Sequence, residues 1–319
     1  MPTQASPLYR LLLLLTIALT LAGCSRQTLF ESAMNHERRA AGLELHSLEI
    51  QGGKLTISYA ANTPQAERDT ILLIHGFGAN KENWHRMARQ LTPEYNVYAL
   101  DLPGHGASSK PLDLPYGIVD QVGYVREIMD ALAVKQVHMA GNSMGGAISA
   151  AFARLHPDRV VTITLFNPAG STRYPAELDE HLARGENPLV VEQRGDFKRL
   201  MAFALEKRPF IPWPLTSVIE ERAMANEEIN NVIFSALLDS GESGSLEDEM
   251  PHIQAPTLII WGEQDRVLNY RNAQVFNDLI PDSRKVILPN IGHAPMIETP
   301  KESAALMTEF IRDVQGRSY

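Results

Sequence analysis

The chain has 319 residues, of which 44% are hydrophobic, and its formal net charge at pH 7 is -9. This length accommodates one α/β domain of about 250 residues with an insertion, and the hydrophobic fraction supports a sizeable core. The acidic balance argues against a nucleic-acid partner and against electrostatic docking on anionic lipids, so charge would not hold this protein at a membrane.

The amino terminus has the pattern of an export signal. Arg10 precedes an apolar run from Leu11 to Ala22, which has the length of a signal-peptide core and is shorter than the roughly 20 residues of a membrane-spanning helix. The run ends at Leu21-Ala22-Gly23-Cys24, which resembles the lipobox of bacterial lipoproteins. The resemblance implies that residues 1–23 are removed as a signal peptide and that Cys24 becomes the lipidated first residue.

Cys24 is the only cysteine of the chain, so the fold uses no intramolecular disulfide and the thiol is free for thioether formation. Ser25 follows it where aspartate is associated with retention in the inner membrane. We therefore expect a lipid anchor in the bacterial cell envelope, in the outer membrane rather than the inner. An uncleaved membrane anchor and an ordinary secretory signal, which would release the protein, remain as alternatives.

Residues 24–42 are polar and are interpreted as a tether or short leading helix. The segments Leu43 to Ile50 and Lys54 to Ala60 then alternate apolar and polar residues around Gly52-Gly53, which predicts a β-hairpin at the antiparallel edge of a sheet. Short apolar runs separated by helical patterns follow, which predicts an α/β fold with a mostly parallel central sheet flanked by helices. The predicted parallel strands are Ile71 to Ile74, Val97 to Leu100, Val137 to Ala140, Val160 to Phe166, Thr257 to Trp261 and Lys285 to Leu288.

A glycine-rich turn, His75-Gly76-Phe77-Gly78, follows the first of these parallel strands. Its glycines allow the backbone to come close to a bound substrate. If a nucleophile lies nearby, the Phe77 N–H is the expected donor to the negative charge that develops on an ester oxygen. Alone, the segment is also compatible with an ordinary tight turn.

The pentapeptide Gly141-Asn142-Ser143-Met144-Gly145 lies between an apolar strand and a helical stretch. A serine on such a sharp turn projects its hydroxyl from the surface, and the flanking glycines avoid collisions within the turn. This is the nucleophile-elbow pattern, with Ser143 as the candidate nucleophile. The Met144 N–H, directly after the serine, is the second expected oxyanion donor.

Serine needs a base and an acid that orients the base, and both follow in the chain. Asp265 lies just beyond the strand Thr257 to Trp261, and His293 lies in a loop beyond the last strand. The order Ser143, Asp265, His293 is the chain order of the alpha/beta-hydrolases. Glu263 is an alternative acid, but the spacing after Trp261-Gly262 favours Asp265.

The alternation of strands and helices breaks between Gly170 and His252. This stretch contains apolar residues at helical spacing, and we expect residues 171–252 to form a helical cap inserted after the sixth core strand. Residues 43–170 and 253–319 would form the core domain. Apolar side chains on the inner face of the cap could line an acyl-binding site, although most of them are expected simply to pack the cap onto the core. Phe77, Met144 and an aromatic residue of the cap are the expected substrate neighbours.

Asp101 and His105 look like a second catalytic pair, but a structural turn beside the site is the favoured interpretation. No cluster of histidine or cysteine has the spacing of metal ligands, and Gly104-His105-Gly106 is not a dinucleotide-binding loop. We therefore expect neither a metal nor an organic cofactor.

Four motifs together resemble the alpha/beta-hydrolase superfamily, and more narrowly its bacterial lipase and monoacylglycerol-lipase-like branch, in which Asn precedes and Met follows the serine. The motifs are residues 71–78, Ala99 to Gly106, Gly141 to Gly146 and Ile291-Gly292-His293. The resemblance implies a serine carboxylic-ester hydrolase that cleaves acylglycerols or related lipid esters, such as a triacylglycerol or monoacylglycerol lipase. A C–C bond hydrolase with the same triad and a non-catalytic acyl-binding surface lipoprotein are the alternatives.

Overall fold

The computed structural model describes residues 25–242 and 246–317. The predicted signal peptide and the lipidation of Cys24 lie outside these residues. None of the described helices has the length and apolar character required to cross a membrane.

An eight-stranded sheet organises the molecule, with strand order β1-β2-β4-β3-β5-β6-β7-β8. Strands β1 and β2 form the predicted hairpin, β2 pairs antiparallel with β4, and the remaining neighbours are parallel. The prediction of a mostly parallel α/β sheet is confirmed. The strands are β1 Glu44–Ile50, β2 Leu55–Ala61, β3 Thr70–Ile74, β4 Asn96–Leu100, β5 Val137–Asn142, β6 Val160–Phe166, β7 Thr257–Gly262 and β8 Ser283–Leu288.

Helices cover both faces of the sheet, because the inner strands are apolar on both sides. Leu72 and Ile74 of β3 join the hydrophobic cluster on one face, whereas Ile71 and Leu73 join the cluster on the other. This alternation is the two-residue period of a strand. The helices of the core are α2 His85–Leu91, α3 Ile118–Ala131, α4 Met144–Leu155, α10 Asn272–Leu279, α11 Pro295–Glu298 and α12 Pro300–Arg317.

A helical insertion lies between β6 and β7, where the sequence predicts the cap. Ile233 and Met250 have no exposed surface, but most side chains of the insertion are only partly buried. The insertion therefore packs less tightly than the sheet below it. Its helices are α5 Glu177–Ala183, α6 Asp196–Ala204, α7 Leu215–Met224, α8 Glu227–Glu242 and α9 Leu246–Glu249.

The segment expected to be a tether or short leading helix is helical over residues 25–40, and we call this helix α1. Its Phe30 is 3% exposed and lies under the Arg222 guanidinium of α7, with 4.4 Å from that group to the ring centroid. Further along, Glu37 pairs with Arg86 of α2 at 3.2 Å. Helix α1 thus bridges the insertion and the core.

Candidate active site

Ser143 lies on a strained turn between β5 and α4. Its backbone has φ 55° and ψ -117°, a conformation that non-glycine residues adopt only when the surroundings impose it. The imposing contacts are backbone ones: Ser143 N–H donates to the Phe166 carbonyl of β6 at 3.0 Å, and Ala169 N–H donates to the Ser143 carbonyl at 3.0 Å. The turn lifts the serine side chain out of the sheet edge.

The glycines around Ser143 are required by close backbone packing. A Cβ on Gly145 would lie 2.3 Å from the Ile74 carbonyl oxygen, and one on Gly141 would lie 2.0 Å from the Gly145 oxygen. A Cβ on Gly76 would lie 3.2 Å from the Ser143 Cβ. The glycine-rich turn after β3 therefore lies directly against the nucleophile turn.

The two predicted oxyanion donors lie on these adjoining turns. Within the described residues, neither the Phe77 nor the Met144 backbone N–H donates to a protein acceptor. His75 holds the turn in place, because its Nδ1 donates to the Gly76 carbonyl at 2.7 Å and its Nε2 accepts from Leu102 N–H at 3.1 Å. Complete burial lowers the pKa of His75, which favours the neutral ring that this pair of hydrogen bonds requires.

His293 and Asp265 meet at the same edge of the sheet. The His293 Nδ1 lies 2.8 Å from the Asp265 Oδ2, so Nδ1 carries the hydrogen and Nε2 is left to accept a proton. The other Asp265 oxygen accepts from the backbone N–H groups of Val267 at 2.8 Å and Leu268 at 3.0 Å. The alternative acid, Glu263, is exposed and accepts from Gln264 instead.

The family model described as "alpha/beta hydrolase fold" matches residues 69–187 and 192–300. The chain belongs to the alpha/beta-hydrolase fold family. It is 31% identical to Lipase 1 of Psychrobacter immobilis, over 93% of this chain and 95% of that protein. It is 30% identical to a monoacylglycerol lipase of Xenopus laevis, over 88% of this chain and 85% of that protein.

Among solved structures, this alpha/beta hydrolase is similar to one described as a membrane phospholipase A, a bacterial virulence factor. The identity is 42%, the TM-score is 0.90, and the alignment covers 97% of this chain and 98% of the other. At this coverage, the similarity includes most of the insertion as well as the sheet.

Two asparagines of the alpha/beta-hydrolase core join the loops that carry the three candidate catalytic residues. The Asn142 amide donates to the His293 carbonyl and to the Phe166 carbonyl, both at 3.0 Å. The Asn167 amide donates to the Asp265 Oδ2 at 2.6 Å and to the Gly292 carbonyl at 3.2 Å. Sequence reasoning missed the role of Asn167; its signal was a polar residue directly after a buried strand, at the edge where ligands bind in such sheets.

Glu298 is a second residue that sequence reasoning missed. Its carboxylate accepts from Gly292 N–H at 3.0 Å, on the loop of the catalytic-histidine candidate. It also accepts from Glu206 at 3.0 Å and Lys207 at 2.7 Å, just after α6 of the insertion. Burial raises the pKa of Glu298, and the backbone hydrogen bonds act in the opposite direction. Because its partners are far apart in sequence, no local pattern marked this residue.

The His293 loop is tied to the insertion by the main chain as well. The His293 N–H donates to the Ala204 carbonyl at the end of α6, at 2.8 Å. From the other side, the Arg266 guanidinium donates to the Ala202 carbonyl at 3.2 Å and pairs with Glu206 at 2.6 Å. The loops of the acid and the base are therefore both attached to the end of α6.

Asp101 and His105 do not form a pair. The Asp101 carboxylate binds the Lys81 ammonium at 2.5 Å and accepts from the backbone N–H groups of Lys81 and Ala107, each at 2.8 Å. The His105 Nδ1 donates to the Pro103 carbonyl at 3.1 Å, and burial holds the pKa of this ring well below its usual value. Their contacts are those of the structural turn favoured by the sequence.

One aromatic residue of the insertion reaches the oxyanion loop. The rings of Phe77 and Phe234 of α8 lie 5.4 Å apart between centroids, within the range of favourable aromatic pairs. Phe234 is therefore the aromatic residue of the cap that best matches the expected substrate neighbour, because its ring contacts that of Phe77.

Within residues 25–242 and 246–317, no group of three or more metal-ligating side chains is assembled.

Proposed function

We propose that Ser143, His293 and Asp265 form the catalytic triad of this enzyme, and that Phe77 and Met144 supply its oxyanion hole. The similarity to lipases confirms the class predicted from the sequence, a lipid-ester hydrolase. The observation that carries the residue assignment is the 2.8 Å contact between His293 Nδ1 and Asp265 Oδ2 at the sheet edge that presents Ser143. The activity would be hydrolysis of acylglycerols or related lipid esters.

In the first step, His293 Nε2 takes the proton of the Ser143 hydroxyl, and the oxygen attacks the ester carbonyl carbon. Negative charge moves to the carbonyl oxygen, where the Phe77 and Met144 N–H groups stabilise it. Each such donor is worth about 3 kcal/mol of barrier. The tetrahedral intermediate then expels the alcohol, which receives its proton from His293, and an acyl-enzyme remains.

In the second step, His293 removes a proton from water, and the hydroxide oxygen attacks the acyl carbon of the acyl-enzyme. The same two N–H groups stabilise the second intermediate. Its collapse returns the proton to Ser143 and releases the fatty acid. Asp265 accepts hydrogen bonds from four protein N–H donors besides that of His293, those of Asn167, Trp261, Val267 and Leu268, and it keeps the imidazole in the useful tautomer.

We also propose that the mature protein is a lipoprotein anchored through Cys24, in the outer rather than the inner membrane of a bacterial envelope. The lipobox-like sequence Leu21-Ala22-Gly23-Cys24 supports this. Mass spectrometry of the membrane fraction should find a diacylglyceryl adduct on Cys24 at the mature amino terminus. A Cys24→Ala variant should fail to be processed, and an unmodified Cys24 in the wild type would contradict the anchor.

Hydrolysis of p-nitrophenyl esters from acetyl to palmitoyl tests the catalytic proposal. The wild type should retain activity towards long chains, whereas Ser143→Ala should lose at least about a thousandfold in kcat. A fluorophosphonate probe should label the wild type on Ser143 and leave the variant unlabelled. Turnover by the pure variant would refute the nucleophile, and wild-type turnover of a ring-fission dienoate in place of esters would favour the C–C hydrolase.

A further inference from the structure

A segment of the insertion exposes two large aromatic side chains. Residues 208–214, Arg-Pro-Phe-Ile-Pro-Trp-Pro, connect α6 to α7, and we call them the aromatic loop. Phe210 is 88% exposed and Trp213 is 77% exposed, the two highest fractions among the large hydrophobic side chains of the described residues. Three prolines restrict the backbone of the loop, so displaying these rings has a low entropic cost.

The aromatic loop lies beside the start of the described chain. The Ser217 hydroxyl donates to the Pro214 carbonyl at 2.6 Å, and the Arg26 guanidinium donates to that hydroxyl at 3.3 Å. Arg26 also pairs with Glu221 of α7 at 3.5 Å. The apolar run of the predicted export signal, Leu11 to Ala22, ends four residues before Arg26. Any membrane attachment made by that segment would therefore start next to the loop.

The aromatic loop also lies next to the candidate active site. Lys207, which immediately precedes it, is held by Glu298, and Ala204 is held by His293. The distance along the chain from the Lys207 contact to Phe210 is three residues, about 10 Å when extended. A lipid that leaves a bilayer at the aromatic loop would therefore emerge close to the loop that carries His293.

We propose that the aromatic loop inserts Phe210 and Trp213 into the interface of a lipid bilayer, as a membrane contact additional to the amino-terminal segment. Tryptophan and phenylalanine are well suited to this region, because their rings bury apolar area at headgroup depth. We expect charge to contribute little to this contact, because Lys207 and Arg208 precede Phe210 but the chain as a whole is acidic. Binding should therefore depend on apolar insertion and only weakly on anionic lipid. The inference rests on the proposed membrane setting of the enzyme.

Tryptophan fluorescence tests the insertion without requiring turnover. Of the three tryptophans, Trp84 and Trp261 have no exposed surface, so Trp213 is the one that reports on solvent. The full chain carrying Ser143→Ala, which leaves the lipids intact, is mixed with phosphatidylcholine vesicles with or without phosphatidylglycerol. The emission should shift to the blue, lipids brominated in their acyl chains should quench it, and iodide should quench it less than in solution.

Trp213→Phe in the same background should remove the fluorescence response while the protein still sediments with the vesicles. If the protein sediments with vesicles but its emission and iodide quenching stay as in solution, the insertion is wrong. Quenching by brominated lipid that requires phosphatidylglycerol would also overturn it, because the contact would then be electrostatic.

Activity provides the second arm. In the otherwise native chain, Phe210→Ser with Trp213→Ser should lower hydrolysis of a vesicle-embedded ester by about tenfold or more, since two buried rings are lost. Hydrolysis of soluble p-nitrophenyl butyrate should be unchanged. Leu155→Ser is the matched control, because this side chain is 47% exposed at the far end of α4 from Ser143.

Equal losses on both substrates, or none on either, would contradict the docking role. Failure of the wild type to hydrolyse any ester would refute the proposed function, whereas the fluorescence result would still decide the insertion. The two proposals can therefore fail separately.

Discussion

The carboxyl edge of the sheet and the insertion above it are built by different means. At the sheet edge, backbone atoms touch backbone atoms: a Cβ on Gly262 would lie 2.0 Å from the Gly292 carbonyl oxygen. In the insertion, α6 and α7 each have one buried side chain, Asp196 and Val218. The candidate catalytic residues are therefore held by close backbone packing, whereas the helices of the insertion are held by fewer buried side chains and can tolerate more change.

The two regions meet at the loop that carries His293. Its N–H binds the Ala204 carbonyl of α6, and its neighbour Gly292 binds Glu298, which also binds the residues after α6. A change in the position of the insertion should therefore displace His293, which bonds directly to α6, more than Ser143, whose N–H is held by the Phe166 carbonyl of β6.

The largest effect is expected at the rigid edge. Gly145→Ala should destabilise the protein by about 3 kcal/mol or more, because the new Cβ would lie 2.3 Å from one backbone oxygen and 2.5 Å from another. The control is Gly123→Ala in α3, where a Cβ meets nothing within 4 Å, and a gain of about 0.5–1 kcal/mol is expected. Urea unfolding measures both. Equal unfolding free energies for the two variants would show that the sheet edge can accommodate an additional methyl group at residue 145.

The next effect concerns the joint between the two regions. Glu298→Ala removes the acceptor shared by Gly292, Glu206 and Lys207, and it should lower kcat by about 10- to 100-fold. Glu298 is a positioning residue, so labelling of Ser143 by a fluorophosphonate should slow as well, and Glu298→Gln, which keeps one acceptor oxygen, should recover part of both rates. The exposed Glu302→Ala of α12 serves as the control. A purely structural role would lower Tm and leave both rates unchanged in folded protein.

A buried histidine of the core, His85, predicts that the folded protein loses stability in acid. Burial, with smaller contributions from Arg38 and Lys81, lowers the pKa of His85 to about 4. The unfolded chain binds this proton more readily between the usual pKa of 6.5 and 4, so stability is complete above pH 6.5 and falls as the pH drops through this window. The loss from His85 should reach about 2 kcal/mol at pH 5.

Replacing His85 by Gln removes that titration. The difference in unfolding free energy between pH 7 and pH 5 should shrink by about 2 kcal/mol in the variant. His75, His105 and His138 are buried with lowered pKa values as well, so part of the slope should remain. If the pH dependence of the unfolding free energy is the same in the variant as in the wild type, the pKa of His85 is not lowered in the folded protein.

The smallest effect is expected in the insertion. Phe234→Ala removes the ring that contacts Phe77, and it should lower kcat/KM about three- to tenfold for long-chain esters, with little change for acetyl esters. Leu238→Ala, one turn further along α8 and 52% exposed, is the matched control. An equal loss of kcat/KM for every chain length would indicate that the contact between Phe77 and Phe234 stabilises the cap and that Phe234 does not contact the acyl chain.

Much of the site could be predicted because its signals are local. A glycine on each side of a serine after an apolar strand marks the nucleophile turn, and an acid and a histidine after two later strands must reach the same sheet edge. Asn167 and Glu298 could not be predicted in this way, since Asn167 binds Asp265, which lies 98 residues away, and Glu298 binds the Glu206 N–H, which lies 92 residues away. Hydrogen bonds over such separations leave no periodic pattern.

The order of strands and helices, the parallel sheet and the candidate residues Ser143, Asp265 and His293 follow from local patterns in the sequence, because hydrophobic period and turn chemistry are properties of neighbouring residues. Three features become visible only in the folded chain: α1 bridges α7 and α2, the end of α6 holds the His293 loop, and Phe210 and Trp213 are exposed on a loop close to Arg26. These features depend on which surfaces remain uncovered after packing, which no local pattern of residues specifies.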